Sequence, residues 1–220
     1  PLFTDRSVLG LSTLSSDKQA IIYLQQAIHD EQFNLDNIEK MAGVKFEVAD
    51  VFPGMVADDA ARVNQAKVEV NGSYKINPAA RVAADLDDAK RPTGYYAAPG
   101  ELVNIHIDET LIDKGLSVMI GAHDSDHSTL TSTNRFVRIT KTYPLTTTTT
   151  KIANPFGGGI YLKIPEDSEL GWFEVTIDGA VKSPYFSSRS DKQTAATRWQ
   201  AELAAGDVQW VDIESNKYMM

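Results

Sequence analysis

The order of apolar and polar positions divides this chain into a helical first third and a strand-rich remainder. Ala20, Ile21, Leu24, Ala27 and Ile28 recur at the 3.6-residue period, so that face of a helix is expected to point inward. Ser16 followed by Gln19 has the S-x-x-Q form of a capping box and is expected to start it. His29 falls at its end, where a cation interacts favourably with the last carbonyls. A shorter helix is expected from about Leu35, with Ile38 and Met41 inward and Gly43 as its stop. Lys45 to Val48 alternates as a short strand, and Pro53-Gly54 is a turn pair. Residues 67–76 read as a hairpin. A three-residue loop, Asn71-Gly72-Ser73, pairs Val70 with Tyr74, Glu69 with Lys75 and Val68 with Ile76, giving one apolar face and one charge pair.

From Gly94 onward period-two alternation dominates. Val103, Ile105 and Ile107 oppose Asn104, His106 and Asp108; Leu116, Val118 and Ile120 repeat the pattern. Phe136, Arg138 and Thr140 are set against Val137 and Ile139, and the threonines at 146 to 150 suit a strand or its exposed lead-in. Ile160, Leu162 and Ile164 follow the glycines 157 to 159, and Phe173, Val175 and Ile177 precede the turn Asp178-Gly179. A late helix near 191–205, capped by Ser190 with Gln193 three residues on, carries Trp199 and Leu203 and stops at Gly206. Many short strands separated by turn residues predict a mostly β fold with helices. The expected architecture is an antiparallel β-sandwich over 63–220, preceded by a small helical N-terminal segment over 1–62.

Composition narrows the function. A formal net charge of −9 argues against nucleic acid, which selects a basic stripe, and against an anionic membrane surface. No apolar run is long enough for membrane insertion. The absence of cysteine removes disulfides, thiol nucleophiles and thiolate metal sites.

Candidate chemistry is sparse. His123-Asp124-Ser125-Asp126-His127 gathers ligand types suited to zinc, with His123 and His127 as candidates. It lies between two strands, however, where i, i+4 spacing does not bring side chains together, and a solvated loop is the plainer reading. His106 sits on the outward polar side of its strand. Flat aromatic faces stack on sugar rings, so Trp172, Tyr95, Tyr96, Tyr185, Phe186 and Trp199 are possible carbohydrate contacts, against the ordinary role of large aromatics in cores. Of these Tyr95, Tyr96 and Trp172 are retained as substrate-binding candidates. The serines lack spaced acid–base partners and a G-x-S-x-G elbow. The triple glycine lacks the G-K-[ST] of a phosphate loop, and a strand rather than a helix comes next.

Four segments in order carry a resemblance: T-G-Y-Y-A-A-P-G-E from Thr93, N-P-F-G-G-G-I-Y-L-K-I-P from Asn154, I-D-G-A-V-K-S-P-Y-F from Ile177 and V-Q-W-V-D-I-E-S-N-K from Val208. Together, from about residue 93 to the end, they resemble the region before the catalytic domain of enhancin-like, mucin-degrading zinc metallopeptidases (peptidase family M-sixty). The accessory-colonisation-factor type of Gram-negative bacteria is the most similar. The family's H-E-x-x-H is absent: His29, His106, His123 and His127 are each followed by a residue other than Glu. Starting at Pro1 and ending on Tyr218-Met219-Met220 in what reads as a strand, the chain is taken as a piece of a longer protein.

The resemblance therefore implies a non-catalytic part of a secreted or cell-surface bacterial peptidase acting on mucin-like glycoproteins. It would hold no cofactor itself, zinc being expected in the full-length protein. Its partners would be its own catalytic domain and O-glycosylated proteins. The alternative is a stand-alone carbohydrate-binding or adhesive β-sandwich.

Overall fold

The computed structural model describes residues 9–75, 88–188 and 192–215. Thirteen strands are formed among them: β1 Leu9–Gly10, β2 Ala66–Tyr74, β3 Ala89–Ala97, β4 Val103–His106, β5 Ser117–Ile120, β6 Ser132–Thr133, β7 Lys141–Pro144, β8 Thr149–Ile152, β9 Gly158–Ile164, β10 Ser168–Asp178, β11 Val181–Lys182, β12 Tyr185–Ser187 and β13 Asp212–Glu214. The helices are α1 Ser16–Gln32 and α2 Lys192–Ala205. Two antiparallel sheets dominate, ordered β2-β10-β4-β8 and β11-β3-β9-β5-β7. Their apolar faces meet in one core. Val70, Val103, Ile105, Ile152, Val175 and Ile177 from the first sheet pack with Val118, Ile120, Tyr143, Ile160, Leu162 and Ile164 from the second. The mostly β, sandwich-like arrangement expected from alternation is the one formed.

Strand β9 is buried on both faces because its second face is also covered. There Tyr161 donates its hydroxyl hydrogen to Asp212 on β13, at 2.8 Å. The glycines where β9 begins explain themselves by contact. A side chain at Gly158 would stand 2.6 Å from the Cα of Gly121, and one at Gly157 2.7 Å from the Ala97 carbonyl oxygen. Asn154 locks this corner: its amide donates to the carbonyls of Ile139 and Gly157 and its oxygen accepts from the Phe156 N–H, all fully buried.

The N-terminal third departs most from expectation. Helix α1 forms, but its inward face is Ile22, Gln26 and His29, while Ile21 is 50% exposed and Leu24 62%. Of the expected apolar stripe Ile28 packs against the core, while Ala20, Ile21, Leu24 and Ala27 face outward, with Tyr23 also exposed. Beside Ile22 it buries two polar side chains: Gln26 donates to the Arg138 carbonyl at 3.1 Å, and His29 bonds Asp30 through Nδ1 at 3.0 Å with its ring edge-on to Phe156. Burial lowers the His29 pKa, against the opposing bond to Asp30, so this residue is a neutral core imidazole rather than a C-terminal cation. Ser15 occupies the N-cap position, and the Gln19 amide reaches back to the Leu14 carbonyl, replacing the expected capping box. Phe33 and Ile38 enter the sandwich core.

Residues 35–43 form successive turns rather than a helix, although Ile38 is buried and Gly43 takes φ +80° as its expected stop requires. Lys45 to Val48 is no strand; Glu47–Asp50 is a 3-10 turn whose carbonyls satisfy local N–H groups. Residues 136–140 lack strand pairing, with Phe136 and Ile139 both buried beside Phe46 and Phe156. The 67–76 hairpin does not form either. Residues 66–74 run straight as β2, paired antiparallel with β10, and Gly72 is small because Phe173 and Leu170 lie across it. A distant strand offering eight paired positions outcompetes a local turn. Ile76, Ser190 and Tyr218 to Met220 lie outside the described residues.

Candidate functional site

Two strand irregularities shape one cleft at the side where β2 and β3 pass each other. In β10 the pairing register shifts between Glu169 and Trp172, with Gly171 at φ +69°, and Trp172 leaves the bulge 60% exposed. In β3 the register shifts between Pro92 and Tyr96, with Gly94 at φ +76°. Thr93 pins this second bulge: its hydroxyl donates to the Ile160 carbonyl at 2.8 Å and accepts from the Tyr95 N–H at 3.2 Å. Tyr95 and Trp172 thus line the same cleft, of about 470 Å³, with Tyr185 of β12 and Arg198 and Glu202 of α2.

The charged groups of the cleft are held in place by one another. Glu202 accepts from the Tyr185 N–H at 3.1 Å and pairs with Lys182 at 3.1 Å. Glu214 accepts from the Tyr185 hydroxyl at 2.6 Å and from the Ser187 hydroxyl at 3.1 Å. The Arg198 guanidinium stands 5.7 Å from the centre of the Tyr185 ring and donates to its carbonyl at 3.2 Å. Across the cleft, Arg91 donates to the carbonyls of Asn71 and Ser73, at 3.2 and 3.1 Å. An aromatic wall beside fixed donors and acceptors suits recognition by stacking and hydrogen bonds.

The third aromatic candidate is not there. Tyr96 is 1% exposed, packs with Ala60, Val181 and Val208, and directs its hydroxyl toward the Gly54 carbonyl, so its ring face is not offered to a ligand. Adjacent residues of a strand point to opposite faces, and only Tyr95 reaches the cleft. Phe186 and Trp199 pack edge-to-face on each other at 6.2 Å.

Nor does the structure bring His123 and His127 together on a cation. His123 lies edge-on between Phe52 and Trp210, at 4.9 and 4.8 Å between ring centres. His127 engages Thr133 through Nδ1 at 2.9 Å and the Arg135 guanidinium through Nε2 at 3.0 Å. Burial and then the charge of Arg135 lower its pKa. The intervening carboxylates are used too: Asp124 pairs with Lys90, and Asp126 with Arg138 at 3.3 Å. Among the described residues no three His, Asp or Glu side chains are grouped to hold a metal ion. His106 is bonded to Thr149 and Asp178 on the outer face of its sheet.

Sequence reasoning missed Arg91, Lys182, Arg198, Glu202 and Glu214, which four elements bring together. The available signal was the isolated glycines 94 and 171 inside strand patterns, the mark of a bulge.

A family model for the N-terminal domain of M60-like peptidases matches residues 59–178, more than half of the chain. The chain belongs to that family. It is also similar to TRPM8 channel-associated factor 2 of Homo sapiens, 27% identical over 153 residues, which is 70% of this chain and 15% of that protein. The homologous factor of Danio rerio is 24% identical over 58% of this chain and 14% of its own length. Among solved structures, the IMPa metallopeptidase from Pseudomonas aeruginosa shares the fold with a TM-score of 0.58 and 18% identity, over 76% of this chain and 18% of that one. The M60 catalytic domain with CBM51-1 and CBM51-2 domains from Clostridium perfringens ZmpB aligns with a TM-score of 0.52 and 17% identity, over 71% of this chain and 18% of that one. The chain therefore spans less than a fifth of the length of each of these relatives. Among the described residues no helix is long and apolar enough to cross a membrane.

Proposed function

We propose that this domain is a non-catalytic part of a secreted or cell-surface zinc metallopeptidase of a Gram-negative bacterium, of the accessory-colonisation-factor type. It braces the catalytic domain and orients mucin-like glycoprotein substrates. Zinc and its ligands belong to that catalytic domain, and no residue of this chain is assigned to hold the ion. The observation that carries the bracing role is the inverted amphipathicity of α1, which buries Gln26 and His29 and turns Ile21, Tyr23 and Leu24 outward. Exposing three large apolar side chains on one helix is unfavourable unless another surface covers them. A structural relative, IMPa, has been solved in complex with an O-glycopeptide, which supports substrates of that class. The test is cleavage of an O-glycosylated mucin by the 220-residue chain with added zinc. No turnover is expected, and turnover would overturn the reading.

A second reading, a carbohydrate-binding module, is favoured by the 60% exposure of Trp172 on a cleft shared with Tyr95. It requires saturable affinity for a free O-glycan that Trp172→Ala abolishes.

A further inference from the structure

We propose that the outer edge of β2 is a docking site for an extended polypeptide segment, which adds to the four-stranded sheet as a fifth, antiparallel strand. The inference goes beyond the peptidase reading and does not depend on it. Strand β2 is the terminal strand of its sheet and pairs only with β10 among the described residues. The direction of its free groups is fixed by Arg91, whose guanidinium takes the carbonyls of Asn71 and Ser73 on the side away from β10. In an antiparallel strand the N–H and C=O of one residue share a side, and alternate residues share it. The pairing with β10 is unbroken from Asn71 to Ala66, so Glu69 and Lys67 also direct both backbone groups outward. No described residue hydrogen-bonds to these four groups. Arg91 closes the edge at Asn71; among the described residues nothing bonds to the outward groups of Glu69 and Lys67, which lie beside the cleft of about 470 Å³ walled by Tyr95 and Tyr185.

Two donors and two acceptors at strand spacing match the backbone of another strand. Side-chain charge then selects the occupant. Glu69 lies directly across from Glu174, a like-charged pair, and Lys67 bonds Glu174 at 2.8 Å. An incoming lysine or arginine opposite Glu69 relieves it further, and an acidic residue opposite Lys67 completes the pattern. The residue between them turns to the other face of the sheet, alongside Val68. Running antiparallel, the preferred segment therefore reads basic, apolar, acidic from N- to C-terminus.

The probe is a capped decapeptide with Lys-Val-Glu at its centre and threonines on both sides, titrated into the 220-residue chain by fluorescence anisotropy. Saturable binding is expected, with the amide protons of Lys67 and Glu69 shifted in NMR spectra and protected from exchange. N-methylation at the peptide lysine, whose N–H faces β2, should weaken binding about tenfold or more, while N-methylation at the valine, whose N–H faces away, should change it by about threefold at most. Glu69→Pro removes only an outward donor and should weaken binding comparably. If that variant unfolds, the methylated peptides carry the test with the protein unaltered. Equal affinity of the two methylated peptides, or of the charge-swapped Glu-Val-Lys peptide, overturns the proposal. So does the absence of peptide binding, with or without affinity for a free glycan. Self-association of the chain that Glu69→Pro abolishes would make a second copy the occupant and would also overturn it.

Discussion

Replacing Asp212 by asparagine should change the pH dependence of stability more than its level at any one pH. Burial pushes the Asp212 carboxyl up from 3.8 to about 6, against the single favourable bond from the Tyr161 hydroxyl. The folded protein therefore holds a proton on this group between about pH 4 and 6 that the unfolded chain releases. For an acid whose pKa is raised by folding, stability is greatest below the unfolded value and is lost as pH rises through the folded value. A shift of about two units amounts to about 3 kcal/mol when fully expressed at neutral pH. Between pH 4.5 and 7.5 the part gained by Asp212→Asn is about 2 kcal/mol.

The wild-type curve alone cannot isolate this, because the lowered pKa of His29 acts oppositely, removing stability as pH falls below 6.5. The difference between wild type and variant cancels His29. It also turns any fixed cost of the new amide into a constant offset. Urea denaturation of both proteins at five pH values gives the difference directly. A variant that gains about 2 kcal/mol on the wild type from pH 4.5 to 7.5 agrees with a buried, desolvated carboxyl. A difference flat to within about 0.5 kcal/mol would refute it, and with it the covered second face of β9.

Other substitutions test other parts of the fold. Gly72→Ala places a Cβ 2.5 Å from the Phe173 ring and should cost about 1–3 kcal/mol, whereas a hairpin turn at 71–73 would accept alanine; the midpoint of urea unfolding decides. Ile22→Ala should cost about 2–4 kcal/mol, and Leu24→Glu less than about 0.5 kcal/mol, a contrast in thermal melts that reverses if the helix is rotated. Asn154→Ala leaves buried carbonyls of Ile139 and Gly157 without their donor and should cost about 3 kcal/mol by the same unfolding measurement; a loss below about 1 kcal/mol would contradict the role of this corner.

Legibility in the sequence followed the range of the interactions. Strands β4, β5, β9 and β10 were readable because each presents at least one apolar face to a single core, which imposes period two on the residues themselves. The glycine-rich entry to β9 was readable because close backbone contact at Gly157 and Gly158 admits no side chain. Helix α1 was readable as a helix but not in its orientation. Most of its expected apolar stripe points outward, and beside Ile22 it buries Gln26 and His29, whose partners Arg138 and Asp30 the periodicity does not reveal. The hairpin failed for a related reason: local pairing was scored without the stronger competitor a hundred residues away. Of the cleft, Tyr95 and Trp172 were found by chemical type, and Tyr96 was excluded only by its position in the strand. The charged side chains around Tyr185 come from α2, β11 and β13, whose convergence is purely tertiary.

The central claim is that this domain precedes a zinc-peptidase catalytic domain in its parent protein. It is tested most directly by the sequence of the gene beyond the codon for Met220. The account predicts an H-E-x-x-H segment on a helix with a further acidic ligand downstream. A stop codon, or an unrelated domain in its place, would contradict it.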